Sequence, residues 1–238
     1  MISHKHKCIF VHIPKCGGQS IEDIFIRENG LTWKTRAPLL LRKNRDQKKG
    51  PPRLAHLTYV EYISLGYISP KMMKEYTKFS IVRDPYKRVE SLYKFLGYDA
   101  AIPFERFICE IFRPQMENKG KLHWFLKPQV DYLRDEYGVI KVDHVVKLEQ
   151  LSEEMPKVLE EIGLKVDKIP HINKSSARGK LKTLAFRLFH AINGCFTWAL
   201  NVDSEIAWTE DLLTVVNEYY ADDFDQFDYS RRLQITTS

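Results

Sequence analysis

The sequence predicts an α/β fold: a mainly parallel, P-loop-like sheet flanked by helices, in a single domain spanning residues 1–238. Three observations predict it. Short, β-prone apolar runs alternate with helix-periodic segments, the pattern of parallel strands joined by crossover helices. Two of these runs end in turns suited to anions, and ligands of such sheets sit beyond the carboxyl ends of the strands. The 238 residues, 44% apolar and 29% charged, supply one substantial core and are short for two.

The first run, Cys8-Ile9-Phe10-Val11, passes through His12-Ile13 into the turn Pro14-Lys15-Cys16-Gly17-Gly18-Gln19-Ser20. A helix of about Ser20 to Glu28 follows, closed by Asn29-Gly30. Paired glycines let backbone approach a ligand and turn several N–H groups one way. The helix end and Lys15 add positive charge, so the turn reads as a phosphate cradle. It is not the G-x-x-x-x-G-K-[ST] loop, because its lysine precedes the glycines. A plain strand–turn–helix connection is the alternative.

Residues 35–55 read as a mobile basic loop, dense in charge from Arg42 to Arg53 and ending in breakers. It is either a solvated excursion or a lid that attracts an anionic ligand. Ser69-Pro70 opens a short helix. Phe79 to Val82 is the next buried strand, broken by Arg83-Asp84-Pro85, with Asp84 as cap and Pro85 at the first helical position. Val89, Leu92, Tyr93 and Leu96 then recur at core-facing spacing. Arg83 at the strand end and Ser91 two turns into the helix suit a second phosphate; taken alone, they read as an ion-pair partner and a helix-face residue.

Pro103 to Phe112 is expected to be an amphipathic helix and His144 to Leu148 a strand, followed by a helix capped at Ser152 and stopped at Gly163. Residues 180–200 carry Leu181, Leu184, Leu188, Ile192 and Phe196 on one helical face. The run is too polar and too interrupted to span a membrane. It reads as an extra amphipathic helix for core packing, or for contact with a membrane surface or a second copy.

A net charge of +6 and a pI of about 9.0 favour polyanionic ligands. No nucleic-acid module is present, and no nucleic-acid partner is expected. Cys8, Cys16, Cys109 and Cys195 form no C-x-x-C pair and read as reduced thiols. No metal-ligand motif occurs, so a metal-free site is expected. The N-terminus runs straight into the first strand, leaving no room for a signal peptide, and no transmembrane segment is seen; a cytoplasmic location is expected.

The two turns, in this order and with eight residues from Arg83 to Ser91, resemble the sulfotransferase superfamily, in particular its heparan sulfate 2-O-sulfotransferase and carbohydrate branch. The resemblance extends more weakly through Val145 to Leu151, His171 to Ser175 and Asp222 to Tyr229. It implies the sulfotransferase fold and 3′-phosphoadenosine 5′-phosphosulfate (PAPS) as co-substrate. The first turn (Lys15, Cys16, Gly17, Gly18, Gln19, Ser20) would hold the 5′-phosphosulfate, and Arg83 with Ser91 the 3′-phosphate. The loop Asn173 to Gly179 would close over the nucleotide with Lys174, Ser175 and Arg178. His123-Trp124 and Pro128-Gln129 resemble an H-W-x-P-Q element with a wider gap; His123, Trp124 and Gln129 are the expected substrate contacts, or packing residues.

Sulfuryl transfer needs an activated hydroxyl, stabilisation of the leaving phosphate and in-line geometry. Lys15 is the expected leaving-group stabiliser. His56 is the expected base, since the branch has its catalytic histidine between the two phosphate segments in a comparable His-x-x-Tyr context. His12, His123 and His171 are rivals. The expected function is transfer of a sulfuryl group from PAPS to a hydroxyl of an acceptor, a glycan or glycolipid, releasing the bisphosphate product PAP. A P-loop-type small-molecule kinase and a non-catalytic nucleotide-binding protein are the alternatives.

Overall fold

The computed structural model describes residues 1–170 and 205–232. The expectations for His171, for the loop Asn173 to Gly179 with Lys174, Ser175 and Arg178, for Cys195 and for the 180–200 helix therefore lie outside the described residues.

The α/β expectation holds. A four-stranded sheet runs in the order β1 (Ile2–Ser3), β2 (Cys8–Val11), β3 (Thr77–Val82), β4 (His144–Lys147). β1 pairs antiparallel with β2, whereas β2–β3 and β3–β4 are parallel. β2 is buried along its whole length, which explains why it reads as an unbroken apolar run rather than an alternating one. The register sets Val11 opposite Ser80 and Val82 opposite Lys147, so the carboxyl ends of β2, β3 and β4 finish on one edge. Ser80 adds a side-chain bond there, its hydroxyl donating to the Val11 carbonyl at 2.7 Å.

Helices flank this sheet. In α1 (Gln19–Glu28), Ile21, Ile24 and Phe25 are buried, and Phe25 stacks on Phe79 of β3 with ring centroids 6.3 Å apart. The helix starts one residue before the expected Ser20, with Gly18 as cap and no side-chain cap bond. The helix Leu151–Glu161 also starts early: Ser152 lies inside its first turn and Gln150 is the cap, because a 3-10 turn over Leu148–Gln150 feeds directly into it. α2 (Tyr59–Ser64) and α3 (Pro70–Glu75) carry side-chain caps from Thr58 and Ser69.

The described residues group into two compact units, the first comprising residues 1–83 and 129–170, the second 84–128 and 205–232. In the first, the basic segment is tied to itself. Lys43 bridges Arg53 antiparallel, and the Asn44 amide donates to the carbonyls of Asp46, Gly50 and Pro51. Arg42, Lys43, Arg45, Lys48, Lys49 and Arg53 stand exposed around it.

The second unit opens with α4 (Pro85–Phe95), capped as expected by Asp84, whose carboxylate accepts from the Lys87 amide at 2.9 Å. Its core is aromatic, built on Tyr86, Tyr93, Phe104, Phe107, Phe112 and Tyr220. Arg88 is wholly buried there and donates to the carbonyls of Lys127 and Phe125 at 3.0 and 3.2 Å. The helix expected over Pro103 to Phe112 runs longer. Phe104–Arg106 continues through a π-turn over Phe107–Phe112 into Arg113–Glu117, and the widened turn accommodates Pro114, which has no N–H to give an α-helical ladder.

Candidate active site

The turn after β2 is held in shape by backbone geometry that only certain residues tolerate. Gly17 has φ +79°, and a Cβ there would lie 2.5 Å from Leu148 Cδ1; Gly18 has no such φ, but a Cβ on it would strike the His12 ring at 2.4 Å. Lys15 takes the left-handed region at φ +69° without being glycine, a conformation that a side chain adopts only when its surroundings impose it. Lys15, Gly17 and Gln19 are half-buried, while Cys16, Gly18 and Ser20 turn inward.

Cys16 points into the protein, its thiol 3.2 Å from Gln129 Oε1 and 3.6 Å from the Pro14 carbonyl. Gln129 in turn clamps the end of β3. Its Oε1 accepts from the Arg83 amide at 2.8 Å and its Nε2 donates to the Arg83 carbonyl at 2.9 Å. Arg83 reaches back across the turn, Nη1 donating to the Lys15 carbonyl at 3.3 Å. Two cationic residues thus meet at the tips of adjacent strands. Burial, and then the Arg83 charge, bring the Lys15 ammonium down from 10.5 to about 8.

His56 lies in a 3-10 turn, Leu54–His56, just before α2. It is 8% exposed, and its Nδ1 is 2.8 Å from the His12 carbonyl. A carbonyl only accepts, so Nδ1 carries the proton and the ring lone pair resides on Nε2. Burial, and then the His12 charge, hold the His56 imidazole well below 6.5, so it is neutral at pH 7. His12 also lies beside it, ring centroids 4.5 Å apart, with its own Nδ1 2.5 Å from Glu22 Oε1.

The expected site residues therefore divide. Lys15, Cys16, Gly17, Gly18, Gln19, Ser20, Arg83, His56 and Gln129 all belong to the first unit. Ser91 is half-buried on α4, and His123 and Trp124 open the helix His123–Leu126, all in the second unit. Trp124 packs on the aromatic core of that unit, 5.1 Å from Phe125 between ring centroids. Gln129, expected as a substrate contact, is instead fully buried as the clamp on Arg83, since a buried carboxamide must find its partners within the protein.

Glu22 was missed by the sequence reading. The signal was there: Glu22 and Asp23 interrupt the apolar face of α1, and both are buried. Among the described residues, no group of three or more His, Cys, Asp or Glu side chains is placed to hold a metal ion, and no helix is long and apolar enough to cross a membrane.

Residues 1–230 match the family model described as Sulfotransferase family. Carbohydrate sulfotransferase 10 of Danio rerio is 31% identical over 93 residues, which are 39% of this chain and 24% of that protein. The chain thus spans about a quarter of the curated relative it matches. No solved structure gives a significant match.

Proposed function

The chain belongs to the sulfotransferase family, and on that premise we propose that it moves the sulfuryl group of PAPS to a hydroxyl of a carbohydrate acceptor, releasing PAP. The observation that carries this reading is the placement of Lys15 and Arg83 at the strand tips, with Arg83 Nη1 3.3 Å from the Lys15 carbonyl, where burial and then the Arg83 charge disfavour the Lys15 ammonium. Such a pair is stabilised by an anion between or beside the two charges. A helix start at Gly18 with no side-chain cap adds its dipole to the same cradle. These groups fit the phosphates of the donor.

PAPS supplies an activated sulfuryl group. In this reading His56 Nε2 takes the proton of the acceptor hydroxyl as the acceptor oxygen bonds to sulfur. The sulfur–oxygen bond to the phosphate breaks, its electron pair stays on the phosphate oxygen, and the Lys15 ammonium offsets the charge that grows there. The low proton affinity of His56 keeps it unprotonated and ready at pH 7. Arg83 anchors the nucleotide through charge and, through Gln129, is itself held in place. The exposed cations from Arg42 to Arg53 support an anionic acceptor, and Arg53 lies close enough for its charge to act on His56.

The test combines sulfate transfer from labelled PAPS to a panel of glycans with calorimetric titration of PAP. The wild type is expected to bind PAP and label a glycan. His56→Ala is expected to bind PAP as the wild type does and to lose about a hundredfold or more in turnover. Absence of both PAP binding and transfer overturns the reading, and phosphoryl transfer from ATP and Mg²⁺ without response to PAPS replaces it with the kinase. PAP binding with a fully active His56→Ala variant gives the base role to another residue.

A further inference from the structure

Three buried ionisable side chains lie in a row behind the phosphate turn: Glu22, His12 and His56, at 5%, 6% and 8% exposure. The reading above uses only the last. Glu22 stands in the first turn of α1, His12 directly follows β2, and His56 belongs to the turn before α2.

His12 connects all of them. Its Nδ1 lies 2.5 Å from Glu22 Oε1. Burial alone would raise the Glu22 carboxyl, but the His12 charge and hydrogen bond, together with the N-terminal and Arg36 charges, bring the group below 4.5, so it is a carboxylate at neutral pH. A carboxylate only accepts, so the proton of that bond sits on His12 Nδ1. The far edge of the same ring, Cδ2 and Nε2, lies against Gly18, where an added Cβ would come within 2.4 Å of both atoms. The His12 backbone carbonyl receives the Nδ1–H of His56 at 2.8 Å. One residue therefore touches the donor turn, α1 and the base.

We propose that Glu22 and His12 form a buried positioning pair that holds His56 in register with the donor turn. Glu22 orients the His12 ring, the ring backs Gly18, and the His12 carbonyl keeps His56 in the tautomer whose Nε2 accepts a proton. The inference rests on the sulfuryl-transfer reading and deepens it. Stability is a poor reason for such a pair, because apolar side chains of similar volume generally serve a core as well as a buried ion pair does. Groups that orient a base are, by contrast, a recurrent feature of proton-transfer sites.

Glu22→Leu removes the acceptor for His12, and Glu22→Gln keeps an acceptor oxygen without the charge. Glu22→Leu is expected to lower kcat about a hundredfold, the scale of a misplaced reacting group, while the KM for PAPS and the affinity for PAP stay within about threefold. Glu22→Gln is expected to recover most of that loss. In nitrogen-15 spectra, the His56 ring should pass from a single Nδ1–H tautomer in the wild type to a mixture in Glu22→Leu.

Gly18→Ala approaches the pair from the other side and serves if Glu22→Leu does not fold. Its backbone, at φ −61° and ψ −14°, accepts alanine, yet the new Cβ would strike the His12 ring. A large loss of kcat is expected for Gly18→Ala in the native background and little further loss when His12→Ala has already removed the obstacle. Wild-type kcat in a folded Glu22→Leu, equal losses in kcat and PAP affinity, or strictly multiplicative effects of Gly18→Ala and His12→Ala each overturn the positioning role. A wild type that neither binds PAP nor transfers sulfate overturns the underlying reading instead.

Discussion

At the scale of single residues, Lys15 is the most constrained position of the site. It combines a left-handed backbone, partial burial and a neighbouring cation. Its lowered value of about 8, against 10.5, means that the folded protein holds the proton less tightly than the unfolded chain. The sign follows from linkage: the cost of the ammonium is fully present below about pH 8 and is relieved as the pH rises through 10.5. At 1.36 kcal/mol per unit this is of the order of 3 kcal/mol at most. Lys15→Met is therefore expected to raise the Tm at pH 7, with the gain over wild type vanishing above pH 10.5, and to lower turnover by roughly a hundred- to a thousandfold. Thermal melts across pH, run beside the transfer assay, check both; a Tm below that of the wild type would show that the ammonium contributes to the fold. The pattern Pro-Lys-x-Gly-Gly points to Lys15, but nothing in it reveals the left-handed backbone or the charge cost, the latter arising from burial and then from Arg83.

At the scale of elements, capping decides where helices begin. Asp84 and Pro85 were legible as a start signal because both act on their own helix within one turn. α2 carries a full capping box: Thr58 Oγ1 accepts from the Glu61 amide at 3.2 Å, and Glu61 accepts from the Thr58 amide at 2.8 Å. This Thr-x-x-Glu spacing is a local signal carried by four consecutive residues. Because His56 lies two residues before the box, Thr58→Ala is expected to cost about 1 kcal/mol in denaturant unfolding and to reduce kcat more than PAP affinity. Unchanged stability would mean that the box is not holding the turn. The cap of α1 was not readable in the same way, since Gly18 acts by absence of a side chain, and its need appears only when His12 folds against it.

At the scale of the whole molecule, charge and core composition matter. The net charge of +6 is not spread evenly: six exposed cations surround the hairpin closed by Lys43 and Arg53. Raising salt from about 0.1 M to about 1 M shortens the screening length from about 10 Å to about 3 Å. The KM for an acidic glycan is expected to rise over this range while that for a neutral sugar does not, and the double change Lys48→Glu with Lys49→Glu should mimic high salt. A KM for the acidic acceptor that ignores both salt and charge reversal would remove the hairpin from acceptor binding. The aromatic core of the second unit, by contrast, was only partly legible. Tyr86, Phe104, Phe107 and Tyr220 come from segments far apart in sequence, and the amphipathic pattern of Pro103 to Phe112 announces burial without naming partners.

What the sequence by itself determined is local: the apolar runs that become β2 and β3, the turn chemistry at their ends, the Asp84 cap and the basic character of residues 42–53. Each follows from residues within a few positions of one another, where spacing and backbone preference decide the outcome. Tertiary structure alone decided which side chains meet. The bond from His56 to the His12 carbonyl spans 44 residues, the Gln129 clamp on Arg83 spans 46, and the Cys16 contact with Gln129 spans 113. Those meetings join the turn after β2 and the end of β3 to a 3-10 turn and a helix start from elsewhere in the chain, and no pattern confined to one stretch encodes such a contact.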